Sequence, residues 1–438
     1  MTFGRPFFLL LVFSVPLLIG NLFQQAYNLA DSVIVGRFIG SGALAAVGAT
    51  SSVTFLFFSV CNGISSGGGI LTAQFFGADE EDRVRKAISN SAYIMLAGSV
   101  IMGMAAFILS PTVLRMLETP EDILSDAVLY MRMMSAGVPL VAVYNYTASM
   151  LRALGDSRTP LYFLILACFL NVGLDLLCVA LLHLGVFGAA LATLIAQFIA
   201  GAACLLYAFR TNPYFRLNRS HLEPDSSIIK SAVRLGLPLA MQWSMIAVST
   251  TALQAVVNSF GTAAVAAFTA TSRVEQLIHQ PFGSLGTALS TYAGQNYGAG
   301  RNDRVRRGLR DSFLMCVVFS AVMLVLMQLG SRWIMNSFVD DADVVALGAR
   351  ALRMTSIFYL FLGLIYITRG TLNGVGDTLF SFINGVIEMV CRIFLPVALI
   401  RLTTAGVWSI WWTAGMTWGI SSVFCVLRYY TWTRKHPA

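Results

Sequence analysis

The sequence predicts an all-α integral membrane protein. Twelve transmembrane helices should form two pseudo-symmetric six-helix lobes. Three observations carry this. First, the chain is 57% hydrophobic and 11% charged, with a mean hydropathy of +0.74; a soluble domain is about one quarter charged. Second, apolar stretches of twenty residues or more recur along it, each able to cross ~30 Å of hydrocarbon. Third, the chain repeats itself. Gln74–Lys86 (QFFGADEEDRVRK) returns as Gln295–Arg307 (QNYGAGRNDRVRR), an offset of 221 (295 less 74). The same offset, without a gap, aligns Gly40 with Gly261, Gly155-Asp156 with Gly376-Asp377, and Gly185-Val186 with Gly406-Val407. Duplicated membrane lobes often alternate around a site between them.

In order, the expected spans are 7–34, 43–72, 87–110, 124–150, 160–183 and 187–209, then 232–258, 263–291, 310–330, 347–369, 378–400 and 406–430. The first is too long for a signal-peptide core and lacks a small-residue cleavage site, so it reads as a true span. The second contains the run GISSGGG (63–69), which suits close helix packing or a broken helix. A polar, breaker-rich stretch, 211–230, reads as the link between an N-terminal lobe (1–210) and a C-terminal lobe (231–438). Nothing else is large enough for a soluble domain, and no GxxxxGK[ST] phosphate loop occurs, which argues against an ATP-driven pump.

The net charge of +8 sorts by side rather than pointing to nucleic acid. Most of the 29 Lys and Arg fall on one set of loops and tails, among them Arg83, Arg85, Lys86, Arg152, Arg158, Arg210, Arg301, Arg304 and Arg434. That asymmetry predicts both termini in the cytoplasm. The opposite loops carry acids: Glu118, Glu121, Asp122 and Asp126, then Asp340, Asp341 and Asp343. The seven cysteines fall inside spans with no CxxC pairing and read as small packing residues, with no disulfide framework or zinc site.

Four carboxylates fall inside spans: Asp31, Asp175, Glu275 and Glu388. A charge in hydrocarbon is costly, so each is a functional candidate. Asp31 ends a stripe on the first span, Gln24, Tyr27, Asn28 and Asp31, spaced i, i+3, i+4, i+7 on one helix face. Either it is hydrated at the outer interface or it belongs to a site. Asp175 shares a face with Asn171 and lies ~13 Å from the outer end of the fifth span at 1.5 Å per residue. Thr193 on the sixth span sits at similar depth. Two carboxylates, an amide and a hydroxyl could meet there as hard oxygen ligands for a proton or Na⁺, or form a hydrogen-bonded packing cluster. If the carboxylates are close, repulsion and burial favour one of them holding a proton near neutral pH. In the second lobe, Glu388 precedes Arg392 by four, the order of an intrahelical pair. Glu275 and His279 share a face of the eighth span and form either an accessory proton relay or a self-satisfied polar network. Arg273 and Arg392 are the basic residues expected within spans. Trp408, Trp411, Trp412 and Trp418 read as an interfacial or packing group.

Several segments together resemble the multidrug and toxic compound extrusion (MATE) family: NLADSVIVGRFIGSGALAAVG, AQFFGA, LRALGDSRTP, FLNVGLDLL, LGVFGAALAT and AGQNYGAG. The resemblance covers essentially the full chain. It implies a cation-coupled antiporter, not an enzyme, that exports amphipathic, often cationic organic compounds in exchange for H⁺ or Na⁺ by rocking of two lobes. It implies no cofactor beyond the coupling ion, no nucleic-acid partner, a monomer in the bilayer and residence in a prokaryotic inner membrane. By position, Asp31, Asn171, Asp175 and Thr193 match the family's first-lobe cation site, a candidate for Na⁺. Gln24, Tyr27 and Asn145 match drug-contacting positions. Cation loading is expected to repack the first span near Pro16. Another branch carries acids on the seventh and tenth spans; here both lack them, so the resemblance is to the branch that couples through the first lobe. The alternative is a lipid-linked precursor flippase of similar architecture, which would favour a cationic cavity. A membrane-embedded enzyme ranks last, since the four histidines (183, 221, 279, 436) are scattered.

Overall fold

Three helices of the first half start 221 residues before a helix of the second, and the others start within one to three residues of that offset. A computed structural model describes residues 1–436, leaving the side chains of Ser52 and Leu56 aside. The helices are α1 (Pro6–Phe38), α2 (Ser41–Gly77), α3 (Glu81–Met116), α4 (Glu121–Ala153), α5 (Arg158–Asp175), α6 (Gly185–Thr211), α7 (Ser226–Asn258), α8 (Thr262–Gly298), α9 (Asn302–Asn336), α10 (Ala342–Ser356), α11 (Tyr359–Gly374), α12 (Thr378–Leu402) and α13 (Ser409–Lys435). Ser41 and Thr262, Glu81 and Asn302, and Glu121 and Ala342 are spaced at the repeat offset. So are the left-handed residues between helices: Gly40 and Gly261 (φ 118 and 87), Gly155 and Gly376 (94 and 94), Gly185 and Gly406 (60 and 53). Asp79 (φ 60) stands where the second copy has Gly300 (φ 70). A β-carbon is disfavoured at positive φ, which is why glycine recurs at these joints.

Nine described helices are long and apolar enough to cross a membrane, and the pair α10–α11, bent by 52°, adds a tenth. Helices α7 and α8, 33 and 37 residues long, complete twelve but are more polar; α8 carries Arg273, Glu275, Gln276, His279 and Gln280. Several helices outrun the expected spans: at 1.5 Å per residue, the 37 residues of α2 reach ~55 Å, well past ~30 Å of hydrocarbon.

Two spans expected to be continuous are not. The fifth closes as a π-helical turn, Leu176–Leu181, directly after Asp175. Such turns are concentrated at functional sites. The tenth, expected over 347–369, breaks between Ser356 and Tyr359. The carbonyl of Arg353, at the break, accepts from the Ser356 hydroxyl at 2.7 Å and from Gln328 Nε2 of α9 at 2.8 Å, and the same nitrogen lies 3.2 Å from Ser356 Oγ. A partner for such a carbonyl is what lets a span break inside the membrane.

By contacts the chain divides into two units, Val15–Ala240 and Met1–Ser14 with Met241–Ala438. The division falls inside α1 and α7, not in the 211–230 stretch. That stretch is ordered and docked on α3. Asn90 Oδ1 accepts from the Asp225 amide at 2.8 Å, Tyr93 Oη donates to the Leu222 carbonyl at 2.7 Å, and Ser89 Oγ donates to the His221 carbonyl. The buried His221 ring meets Asp82 Oδ1 at 3.1 Å. The repeated motif does a related job in the other unit. Arg301 donates to the Thr2 carbonyl at 2.8 Å, Arg304 to the Gly4 carbonyl at 3.1 Å, and Asp311 accepts from the Phe7 amide at 3.2 Å. Both motif copies therefore hold the chain that leads into α1 or α7.

The first unit packs around Val84, Ile88, Met95, Val138, Tyr146 and Met150. The second has a core cluster of Val257, Ala267, Val344, Ile410 and Trp411. The glycine run of α2 is a close helix contact: a β-carbon on Gly67 would lie 2.4 Å from the Gly236 nitrogen and 2.5 Å from the Ala232 carbonyl oxygen of α7. The cysteines are free, and all but Cys391 are buried.

Candidate cation site

In the first unit, three helices bring oxygen atoms to one place. Asp175, at the last turn of α5, is fully buried; Asn171, one turn earlier, is 2% exposed and Thr193 on α6 is 6% exposed. Asn171 Nδ2 donates to Thr193 Oγ1 at 3.1 Å. That bond turns the amide oxygen away from the threonine. Asp31, on α1, comes within direct interaction range of Asp175, and the Tyr27 phenol lies within electrostatic range of both acids.

Asp31 Oδ1, Asn171 Oδ1 and both carboxylate oxygens of Asp175 are buried and have no hydrogen-bond donor among the described residues. Buried polar atoms in folded proteins are nearly always paired, so four neighbouring acceptors without donors need an explanation. Two carboxylates offer each other no hydrogen unless one is protonated. A proton, or a small cation bound by oxygen, supplies what is missing, and hard oxygen ligands suit Na⁺. The donor set fits either.

Not every residue singled out from the sequence joins this cluster. Gln24 is exposed, and the Asn145 amide donates to the Val141 carbonyl of its own helix at 3.3 Å. Tyr130 of α4 is a member that sequence reasoning missed. It is 8% exposed and lies in electrostatic range of Asp31, Tyr27 and Asp175. A tyrosine on an apolar helix gives no signal of its own.

In the second unit, Glu388 is held from two sides. Arg392, the expected i,i+4 partner, lies 3.6 Å away, and Arg369 of α11 is closer at 3.3 Å. Arg369 was expected at a span terminus. It is 7% exposed, because α11 continues to Gly374. Arg273, expected within a span, is exposed on α8. Glu275 Oε1 is buried without a partner, as is His279 Nε2, while His279 Nδ1 faces the Tyr366 hydroxyl at 3.4 Å. No hydrogen bond joins Glu275 to His279 among the described residues, so a relay between them has no direct link here.

The MatE family model matches residues 16–177 and again 238–397. The chain belongs to the MatE family. It is therefore a multi-pass membrane protein of a transporter family, and the double match restates the internal repeat. A probable multidrug resistance protein, YpnP, of Bacillus subtilis (strain 168) is 30% identical, over 84% of this chain and 83% of that protein. The multidrug export protein MepA of Staphylococcus saprophyticus is 22% identical over 91% of this chain and 88% of its own. Among solved structures, a multidrug resistance MATE family transporter of the MOP superfamily in an outward-facing conformation superposes with a TM-score of 0.91 at 22% identity, covering 99% of this chain and 97% of that one. That likeness gives the twelve-helix, two-lobe fold.

Proposed function

We propose that this MatE protein is a cation-coupled antiporter that exports amphipathic, often cationic organic compounds in exchange for H⁺ or Na⁺. The observation that carries the coupling is the set of four unpartnered buried oxygens on Asp31, Asn171 and Asp175. Multidrug export is the role named for the relatives. A cation entering between Asp31 and Asp175 removes their repulsion, satisfies the orphaned acceptors and favours whichever conformation brings α1 and α5 together. Only such a differential affinity lets an ion gradient drive a conformational cycle. The π-turn after Asp175 and the proline within α1, Pro16, are the points where those two helices can repack at low cost. The protein would work as a monomer in the plasma membrane with both termini cytoplasmic, as the distribution of basic residues supports.

Ethidium efflux from energised cells tests this. Wild type should extrude the dye, while Asp31→Asn and Asp175→Asn should fall to background at equal membrane abundance. Collapsing the proton and sodium gradients separately identifies the ion. Efflux by either mutant at the wild-type rate would end the first-lobe coupling scheme. The lipid-linked precursor flippase is the second reading, and the arginine pair on Glu388 is the observation in its favour. Absence of dye efflux under either gradient would move it to first place.

A further inference from the structure

The two halves of the repeat differ in charge at matching positions. At the repeat offset from Asp31, Asn171, Asp175 and Thr193 stand Ala252, Arg392, Pro396 and Ala414. The second unit has no acid where the first has two, and a guanidinium where the first has an amide. Arg369 and Arg392 share the one carboxylate of Glu388 at 3.3 and 3.6 Å, and all three side chains are at most 12% exposed. Arg392 also donates a hydrogen bond to a neutral hydroxyl, Ser249 Oγ, at 2.9 Å. Arg369 otherwise faces the Tyr366 ring, 5.4 Å from its centroid.

Two buried positive charges on one negative charge leave a surplus. A buried charge without a partner is strongly unfavourable, so the surplus calls for an anion. The other titratable groups around the cluster are Glu275 and His279 of α8, Tyr359 and Tyr366 of α11, Cys391 of α12 and Cys425 of α13. Glu275 feels the Arg392 charge but makes no ion pair with it among the described residues. His279 also lies in electrostatic range of Arg392. His279 Nδ1 meets the Tyr366 hydroxyl at 3.4 Å, and Nε2 is buried with no partner among the described residues, so in the tautomer protonated at Nε2 that N–H is free for a ligand. Guanidinium groups with an imidazole nitrogen in the same cluster, joined through Tyr366, form a receptor for a planar oxyanion, which arginine can grip with two parallel hydrogen bonds.

We propose that Arg392 and Arg369, with His279, form a carboxylate-accepting subsite in the second unit that holds the acidic group of a zwitterionic amphipathic substrate. The word substrate rests on the export reading; the binding chemistry does not.

The test is equilibrium binding by fluorescence anisotropy to the full chain in lipid nanodiscs, with no ion gradient. The probes are tetramethylrhodamine, a zwitterion with a free carboxylate, and its methyl ester, a cation with the same chromophore. Wild type should bind the free acid about tenfold more tightly than the ester, the scale of one charge-assisted contact. Arg392→Gln leaves the Arg369–Glu388 pair balanced, so it should fold and should bring the ratio close to one. Glu388→Gln removes the competing carboxylate while keeping both arginines. It should raise affinity for the free acid, leave the ester unchanged and give the free acid a larger thermal stabilisation than in wild type. A gain in affinity cannot come from a damaged fold. Equal affinities in wild type, or no gain in Glu388→Gln, would overturn the assignment. So would displacement of the free acid by farnesyl diphosphate at tenfold lower concentration than by octanoate, since the subsite would then serve a lipid phosphate. Failure of the export reading shows separately, as loss of ethidium efflux with the binding ratio intact.

Discussion

Replacing Gly67 with alanine should loosen the contact between α2 and the start of α7 by an amount that the structure sets. The new methyl would lie 2.4 Å from the Gly236 nitrogen and 2.5 Å from the Ala232 oxygen. Ordinary carbon–oxygen contacts are ~3.4 Å, and both opposing atoms are helix backbone that cannot rotate aside. The helices must therefore part by about 1 Å. A gap of that size forfeits a quarter to a half of each dispersion contact along the seam, at roughly 0.1–0.2 kcal/mol per atom pair. The seam includes Leu71, Ile228 and Ala232. A few tens of weakened pairs give a loss of about 2 kcal/mol, in line with overpacked cores generally. Gly63→Ala should behave alike, since its methyl would meet the Ala240 nitrogen at 2.5 Å. Gly48→Ala is the control: it is helical, nothing lies within 4 Å of the added atom, and alanine's helix propensity predicts no loss. Thermal unfolding of the purified variants in one detergent at one scan rate reads the difference. A Gly67→Ala midpoint equal to that of Gly48→Ala would refute the backbone-contact argument.

Three further outcomes follow from local geometry. Gln328→Ala removes one of two donors to the Arg353 carbonyl at the α10–α11 break and leaves the Ser356 hydroxyl on it; it should cost about 0.5–1.5 kcal/mol and lower the thermal midpoint. Gly155→Ala and Gly376→Ala, both at φ 94, should each cost about 1–2 kcal/mol, and equal losses would confirm that the two joints are the same element. Outside the spans, Lys86 and then His221 hold the Asp82 carboxyl below its ordinary range. Its folded value lies below its unfolded one, so its contribution is complete above the ordinary carboxylate range and is lost as pH falls through the depressed value. Limited proteolysis of the 211–225 stretch should therefore accelerate in acid, and Asp82→Asn should weaken that pH dependence.

Much of the architecture was legible before any coordinates. Helical spans follow from local composition, and the joints follow from glycines whose positive φ no side chain favours, so Gly40, Gly155 and Gly185 and their partners mark the repeat directly. The acids of the candidate cation site were legible because a carboxylate in an apolar span is conspicuous. Asp31, Asn171, Asp175 and Thr193 were expected together, and their helices bring Asn171, Asp175 and Thr193 into the buried interior and Asp31 beside them. Gln24 and Asn145, expected as drug contacts and not as ion ligands, stand apart from that cluster: Asn145 bonds its own helix and Gln24 is exposed.

What the sequence by itself determined is whatever one helix can express alone: its length, its apolar face, its end signals and the presence of a charge that water cannot reach. What only the tertiary structure decided is which distant groups complete one another. The first residues of the chain belong with its second half, where Arg301 and Arg304 reach them. The break in the tenth span is held by a glutamine from α9, and Arg369 is buried because Glu388 on the following helix accepts it. Each of these is a pairing between atoms far apart in the chain, whose energy depends on distance and desolvation. Neither quantity exists until the helices have packed.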